Sequence, residues 1–361
     1  MIQRVMGGHM SIVIDGFEIG SRTFIVAELS ANHGGSIDIA QKTIKAAKEA
    51  GADAFKIQTY TPDTITINCD NPCFVLNEGT IWDGRTFYDL YQDAFTPWAW
   101  QEELMAYAKS LGLVFFSTPF DQTAVDFLDA LGVPAYKVAS FEIVDIPLIE
   151  YIASKGKPVI LSTGIAGLAD IEAAVDACRK MGNEQIILLK CTSAYPAGVE
   201  DANLRTIPNI KATFGVEAGV SDHTMGSVVS VAAVAVGATV VEKHFILDRT
   251  VGGPDASFSM EPEGFARMVQ DIRQVEKALG SVDYSMTEKK MNARLHGRSL
   301  FAVRDIKKGA RFTPDNIKSV RPGYGLAPKY LKEIIGAHAL QDIKKGTPLD
   351  WVLVGKKQME T

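Results

Sequence analysis

The stretch "GVSDHTMGSVVSVAAVAVGATVVEKHF", residues 219–245, is long, almost uncharged and apolar, yet it is not uniform. It reads as the end of one strand, a buried helix punctuated by Gly226, Ser227, Ser230 and Gly237, and then a complete second strand. A histidine stands at the end of each strand, His223 in "SDHT" and His244 in "EKHF". The helix between them carries the chain back, so both strand ends come to the same rim.

Outward from this unit, the same alternation runs from residue 24 to about 280. β-Branched and aromatic runs recur at 24–30, 54–60, 113–120, 135–141, 158–164, 186–193, 217–223 and 239–245, eight in all. Amphipathic segments separate them; in the first, Ile37, Ala40, Ile44 and Ala47 repeat at helical spacing and Gly51 ends the helix. Eight strand-then-helix units predict an α/β chain built on a (β/α)8 TIM barrel. An open doubly wound sheet usually has fewer strands, and "SANHGGS" after the first run lacks the glycine fingerprint of a dinucleotide site.

Such barrels carry their chemistry at the carboxyl ends of the strands. Each run begins apolar and finishes polar, with Glu28 and Ser30; Lys56, Gln58 and Thr59; Ser117 and Thr118; Lys137 and Ser140; Ser162 and Thr163; Lys190, Thr192 and Ser193; Ser221, Asp222 and His223; Glu242 and His244. A serine or threonine there serves as readily to cap the next helix as to touch a ligand. Lysines differ, because an unpaired buried ammonium costs several kcal/mol. Lys56, Lys137 and Lys190 on one rim therefore predict an anionic ligand.

Residues 61–95 are too long for an ordinary strand-to-helix connection, and long loops on this rim are commonly substrate loops. Trp82, Phe87, Tyr88, Tyr91 and Phe95 would line a pocket or pack the loop onto the barrel. Beyond 280 the texture changes, which divides the chain into a barrel over 12–280, a polar linker over 281–297 and a small domain over 298–357. The small domain has an internal echo, "AVRDIKKGARF" at 302–312 and "ALQDIKKGTPL" at 339–349, expected of a pseudo-repeated β unit.

A chain of 361 residues, 47% hydrophobic and 22% charged, can bury a proper core and is long enough for one large domain and one small one. A net charge of −6 leaves no basic footprint for nucleic acid. No signal peptide or membrane span is expected, and the "GGHM" at 7–10 reads as a cloning remnant. Cys69, Cys73, Cys178 and Cys191 form no secreted framework and read as cytoplasmic thiols; Cys69 and Cys73 lack the second pair that a zinc site would need.

The motifs "AELSANHGG", "KIQTYTPD", "STPFD", "YKVASFE", "STG", "KCTSAYP", "GVSDHT", "EKHF", "GPDASFS" and "SVRPGYGL" occur in this order and closely resemble the sialic-acid synthase family. The resemblance spans about residues 12–355, and details such as "TIWDGRTFYDLY" and "TPWAW" are most similar to its pseudaminic acid branch. It implies a barrel followed by an antifreeze-like SAF domain. It also implies condensation of phosphoenolpyruvate with an amino-sugar aldehyde, here 2,4-diacetamido-2,4,6-trideoxy-L-altrose, with neuraminic or legionaminic precursors as alternatives.

Residue by residue, the resemblance implies that Lys56, Thr118, Lys137, Ser140, Ser193 and Ser221 hold phosphoenolpyruvate. His223 and His244 would bind a divalent metal, Mn²⁺ with Mg²⁺ as a substitute, while Glu28 and Asp255 approach the reacting water or the sugar. Gln58, Tyr195 and Arg321 would contact the sugar, Arg321 reaching from another subunit of a domain-swapped homodimer. Ser193 departs from the asparagine usual in the neuraminate branch and offers fewer hydrogen bonds. On residue chemistry alone, a Schiff-base aldolase using one of the lysines and a non-catalytic sugar-binding protein stay open. His33 would touch substrate or bond local backbone, and the other histidines belong to surface or tail.

Overall fold

The computed structural model describes residues 11–77, 79 and 81–356. The "GGHM" segment lies outside these residues. The chain divides after Gly280 into two compact units.

The first unit opens with a hairpin of β1 (Val13–Ile14) and β2 (Phe17–Glu18), whose turn residues Asp15 and Gly16 have φ of 47° and 84°. Eight parallel strands then close into a barrel, among the described residues: β3 (Phe24–Glu28), β4 (Ala54–Thr59), β5 (Val114–Pro119), β6 (Tyr136–Val138), β7 (Val159–Ser162), β8 (Ile186–Cys191), β9 (Glu217–Asp222) and β10 (Val240–His244). β10 pairs with both β9 and β3, which closes the ring.

Side chains alternate across each strand and sort into two apolar layers. Phe24, Val26, Ala54, Phe116, Ile160, Leu189 and Val240 point inward and fill the lower barrel with Ile12, Ile14 and Ile19, so the hairpin plugs its amino end. Ile25, Phe55, Phe115, Leu161, Leu188 and Val241 point outward against the helices. The strand-following helices include α1 (Ile37–Glu49), α5 (Gln122–Leu131), α6 (Ile146–Ala153), α7 (Leu168–Lys180), α8 (Thr206–Phe214), α9 (Val228–Ala235) and α10 (Pro262–Leu279). The long segment after β4 holds α2 (Pro62–Ile65), a short 3-10 turn at Pro72–Phe74 and α3 (Phe87–Ala94), before α4 (Trp98–Ser110) resumes the barrel.

The second unit begins within the stretch expected to be a linker, which carries α11 (Glu288–Arg294). β11 (Ser299–Ala302) and β12 (Ile317–Val320) pair antiparallel over a core that includes Leu300, Ile306, Phe312, Ile317, Ile334, Ile343 and Leu349; α12 (Leu331–Ile334) completes it. The two "DIKKG" copies face one another: Ile306 and Ile343 exchange N–H to carbonyl bonds of 2.8 Å each. Asp342 accepts from Lys308 N–H at 2.8 Å, and Asp305 accepts from Lys345 N–H at 2.8 Å, one copy mirroring the other.

Candidate active site

The carboxyl rim gathers its polar residues by the same alternation. β9 and β10 run in register, Glu242 opposite Ser221 and Lys243 opposite Asp222. Ser221, His223, Glu242 and His244 therefore face into the barrel, while Asp222 and Lys243 face the helices. The two imidazoles meet edge to face, with ring centroids 5.3 Å apart.

Opposite the histidines lie two buried lysines. Lys56 on β4 pairs closely with Glu28 on β3, stands 3.2 Å from Thr118 Oγ1 and 3.6 Å from Glu242 Oε1. Lys137 on β6 donates to Ser162 Oγ at 2.7 Å and to Val138 O at 2.8 Å, and lies 4.0 Å from Glu242. Glu242 thus sits between the two ammonium groups, and it also accepts from Ser221 Oγ at 3.3 Å. The lysines and Ser221 hold its carboxyl below the usual range in spite of burial. Glu28 shows the opposite balance: burial pushes it up to about 7, and the neighbouring Glu242 charge adds to that, against the pull of Lys56.

Beside Lys137, three groups form a cradle. Gly164 N–H donates to Ser140 Oγ at 3.2 Å, and the buried Ser193 Oγ has no hydrogen-bond partner. A β-carbon on Gly164 would fall onto the Ser193 hydroxyl and within 2.7 Å of Ser140 Oγ, so glycine keeps this space open. A buried hydroxyl left without a partner costs about 1–3 kcal/mol, which an incoming anion oxygen would recover.

The histidines offer donors suited to a hard divalent cation. His223 Nδ1 lies 2.9 Å from the Thr192 carbonyl and 3.8 Å from Cys191 Sγ, which places a proton on Nδ1. Against burial, Cys191, Thr192 and Glu242 hold the ring above its ordinary range, and the Nε2 lone pair becomes available in the neutral form. Burial, with His223 and the nearby lysines adding to it, holds His244 well below the ordinary imidazole range and therefore neutral, and its Nδ1 has no hydrogen-bond partner. Asp255 Oδ2 lies 3.7 Å from that nitrogen and accepts from Ala31 N–H at 3.3 Å. Among the described residues no group of three His, Cys, Asp or Glu side chains forms a ready-made metal cage. Two imidazoles fit a cation whose other positions go to water and substrate oxygens.

Tyr195 roofs the pair, its ring 4.4 Å from His223 and 6.2 Å from His244, and Phe258 packs against both Tyr195 and His244. From the insertion, Trp82 reaches Tyr195 at 5.7 Å and donates its indole N–H to Pro254 O at 3.1 Å. Phe87 and Tyr91 instead pack inward, Tyr91 on Tyr60 at 5.6 Å. The insertion's aromatics thus divide, one covering the site and others securing the loop. A cleft of about 640 Å³ opens beside Trp82, between Ala31, Gly34, Gly35, Arg85 and Pro254.

Twelve of the residues singled out from sequence lie on this unit: Glu28, Lys56, Gln58, Thr118, Lys137, Ser140, Ser193, Tyr195, Ser221, His223, His244 and Asp255. Gln58 is half-buried at the end of β4, on the inward side. Arg321 is exposed on the second unit, where Ser299 Oγ donates to Pro322 O and Gly323 N–H donates to Leu295 O to shape its loop. Lys190 corrects the sequence reading: with Leu189 and Cys191 pointing inward, Lys190 falls on the outer side, its ammonium bonded to Cys191 O at 2.8 Å and Thr192 Oγ1 at 3.3 Å. Of the three lysines, Lys56 and Lys137 face into the barrel and Lys190 does not. Among the described residues His33 hydrogen-bonds backbone at Ala94 O and Gly35 N, and its ring stands edge-on to Trp100 at 5.7 Å.

Two carboxylates were given no role on sequence grounds. Glu242 was visible as a polar strand end. Glu142, in the 3-10 turn Ser140–Glu142, has a buried Oε2 without a partner, and burial pushes its carboxyl up to about 7 although Lys137 draws it down. Its only signal was an acid two residues beyond the cradle serine.

The sequence pattern of the NeuB family matches residues 43–284, and that of the SAF domain matches residues 297–354. Over 336 residues the chain is 46% identical to the pseudaminic acid synthase of Campylobacter jejuni, covering 93% of this chain and 98% of that protein. The pseudaminic acid synthase of Helicobacter pylori is 46% identical over 326 residues, 90% of this chain and 96% of that protein. The crystal structure of N-acetylneuraminic acid (sialic acid) synthetase from Leptospira borgpetersenii in complex with citrate superposes with a TM-score of 0.70 at 32% identity, covering 78% of this chain and 94% of that one.

Proposed function

The chain belongs to the NeuB family and carries a SAF domain, and we propose that it condenses phosphoenolpyruvate with 2,4-diacetamido-2,4,6-trideoxy-L-altrose to give pseudaminic acid and phosphate. One observation carries the phosphoenolpyruvate assignment: two buried lysines and a serine–glycine cradle share the carboxyl rim with a pair of imidazoles. The sugar assignment rests on the 46% identity to two pseudaminic acid synthases, against 32% to the neuraminic acid enzyme.

In this reading Lys56 and Lys137 neutralise the carboxylate and phosphate, and Thr118, Ser140, Ser193 and Ser221 orient their oxygens. Gln58, Tyr195 and Arg321 hold the open-chain sugar so that its aldehyde carbon meets C3 of phosphoenolpyruvate. The new carbon–carbon bond forms as the C2–C3 π electrons move to the aldehyde carbon and the carbonyl pair moves to oxygen. A water molecule then adds to C2, Glu28 and Asp255 accepting or positioning its proton, and loss of phosphate from C2 leaves the keto acid. A divalent cation, Mn²⁺ or Mg²⁺, held by His223 and His244 would supply Lewis acidity toward the aldehyde oxygen.

The apolar side chains Phe141, Val144 and Ile165, on connections, and Leu168 and Val228, at the first positions of α7 and α9, are exposed at this rim, a surface suited to cover by a second copy. A domain-swapped homodimer, with Arg321 supplied by the partner chain, follows from that reading. Among the described residues no helix is long and apolar enough to cross a membrane, and the four cysteines are unpaired thiols, which supports a cytoplasmic setting.

The test is phosphate release from phosphoenolpyruvate across a panel of amino-sugars, followed by mass analysis of the nine-carbon acid. Turnover with N-acetylmannosamine and none with the diacetamido sugar would overturn the sugar assignment. Trapping of a pyruvate adduct by borohydride would replace the synthase reading with a Schiff-base one.

A further inference from the structure

Each rim histidine follows a charged residue that faces away from the site. Lys243 donates to Asp222 Oδ2 at 2.8 Å and to Thr224 O at 2.7 Å, with Asp222 O at 3.5 Å. Asp222 Oδ2 also accepts from Ser230 Oγ at 2.6 Å, and Oδ1 accepts from Thr224 N at 2.9 Å and Thr224 Oγ1 at 2.7 Å. The two side chains are 3% and 0% exposed, within the apolar layer that holds Val220, Val241 and Phe245.

A buried ion pair in such a layer adds little stability over apolar packing. What it adds is direction. The β9–β10 pairing ends at Lys243 opposite Asp222, so His223 lies just past the last rung. The ion pair ties together β10, the end of β9, the turn at Thr224 and, through Ser230, helix α9, at the level where the backbone ladder stops.

We propose that Asp222 and Lys243 are positioning residues for the His223–His244 pair, a buried clamp that sets the spacing of the two imidazoles and so their affinity for a divalent cation. The inference rests on the reading of those histidines as cation ligands. Partners bonded directly to a ligating histidine change metal affinity by about 10- to 100-fold; Asp222 and Lys243 bond to each other, Thr224 and Ser230 rather than to the imidazoles, so their effect through the backbone is smaller.

The experiment titrates Mn²⁺ alone into the full-length, metal-stripped protein, followed by electron paramagnetic resonance of the free ion, alongside thermal unfolding. The double variant Asp222→Asn/Lys243→Met removes both charges together and leaves no lone buried ion. Ser230→Ala removes one bond to the clamp. Arg273→Met serves as a comparator, since it breaks an ion pair with Asp53 (2.8 Å) at the opposite end of the barrel.

The double variant is expected to bind Mn²⁺ about threefold or more weakly, below the range for partners bonded to the ligand itself, and Ser230→Ala about twofold or more weakly. Arg273→Met should bind as the parent does even where its melting temperature falls. A folded double variant with parental affinity overturns the clamp, as does an equal loss in Arg273→Met; if the double variant does not fold, unchanged affinity in Ser230→Ala overturns it. Absence of Mn²⁺ binding by the parent, or full binding by His244→Ala, removes the metal reading itself and the clamp with it.

Discussion

Glu28 and Lys56 close an ion pair across β3 and β4 with side chains only 1% and 4% exposed. The same ammonium has Thr118 and Glu242 within reach. A carboxylate held in this way stands at the rim where the proposed reaction needs a proton acceptor.

Glu28→Gln keeps the shape and loses the base. It should bind phosphoenolpyruvate with near-parental affinity while kcat falls about 100-fold or more. Steady-state kinetics with calorimetric binding checks this, and near-normal turnover would remove Glu28 from the reaction.

Gly164→Ala fills the serine–glycine cradle. The expected outcome is a KM for phosphoenolpyruvate raised about 10-fold or more, with the KM for the sugar changed far less. An unaltered KM would show that the anion sits elsewhere.

Chelation should abolish turnover and Mn²⁺ should restore it, while His244→Ala loses both activity and the thermal stabilisation that added Mn²⁺ gives the parent. Metal-independent turnover would contradict the two-histidine site.

Glu142 makes stability depend on pH. Its folded-state carboxyl is raised from 4.5 to about 7 by burial, so the stabilising neutral form is fully present below pH 4.5 and is lost as pH rises through about 7. Glu142→Gln should therefore gain on the order of 1–2 kcal/mol over the parent at pH 8 and little at pH 4.5. Urea unfolding at both values decides, and an equal difference at the two would refute the shift.

Mixing supplies the test of the swapped dimer. Arg321→Ala and Glu28→Gln are each expected to be nearly inactive, yet co-refolded they should recover up to about a quarter of parental activity, because half of random dimers contain one intact composite site. No recovery would place Arg321 with its own barrel or outside the site.

The barrel was legible because each strand is a short β-branched run with a polar end, and because His223 and His244 mark neighbouring ends of one unit. Lys190 was misplaced because a polar strand end was counted without its parity, though Leu189 beside it already fixed the side. The hairpin at Val13–Glu18 escaped notice since each strand has only two residues, despite the Asp15–Gly16 turn signal. Glu142 was hidden for a different reason: it lies past its strand in a turn, and nothing local in sequence says that an oxygen of this half-buried side chain will be enclosed.

The reciprocal "DIKKG" contacts bear on how the second unit assembles. Each aspartate caps backbone of the other copy across 34 and 40 residues of chain, so neither copy can satisfy its own polar groups first. The unit should therefore form in one cooperative step with little local head start, and a cut anywhere between the copies should undo both at once.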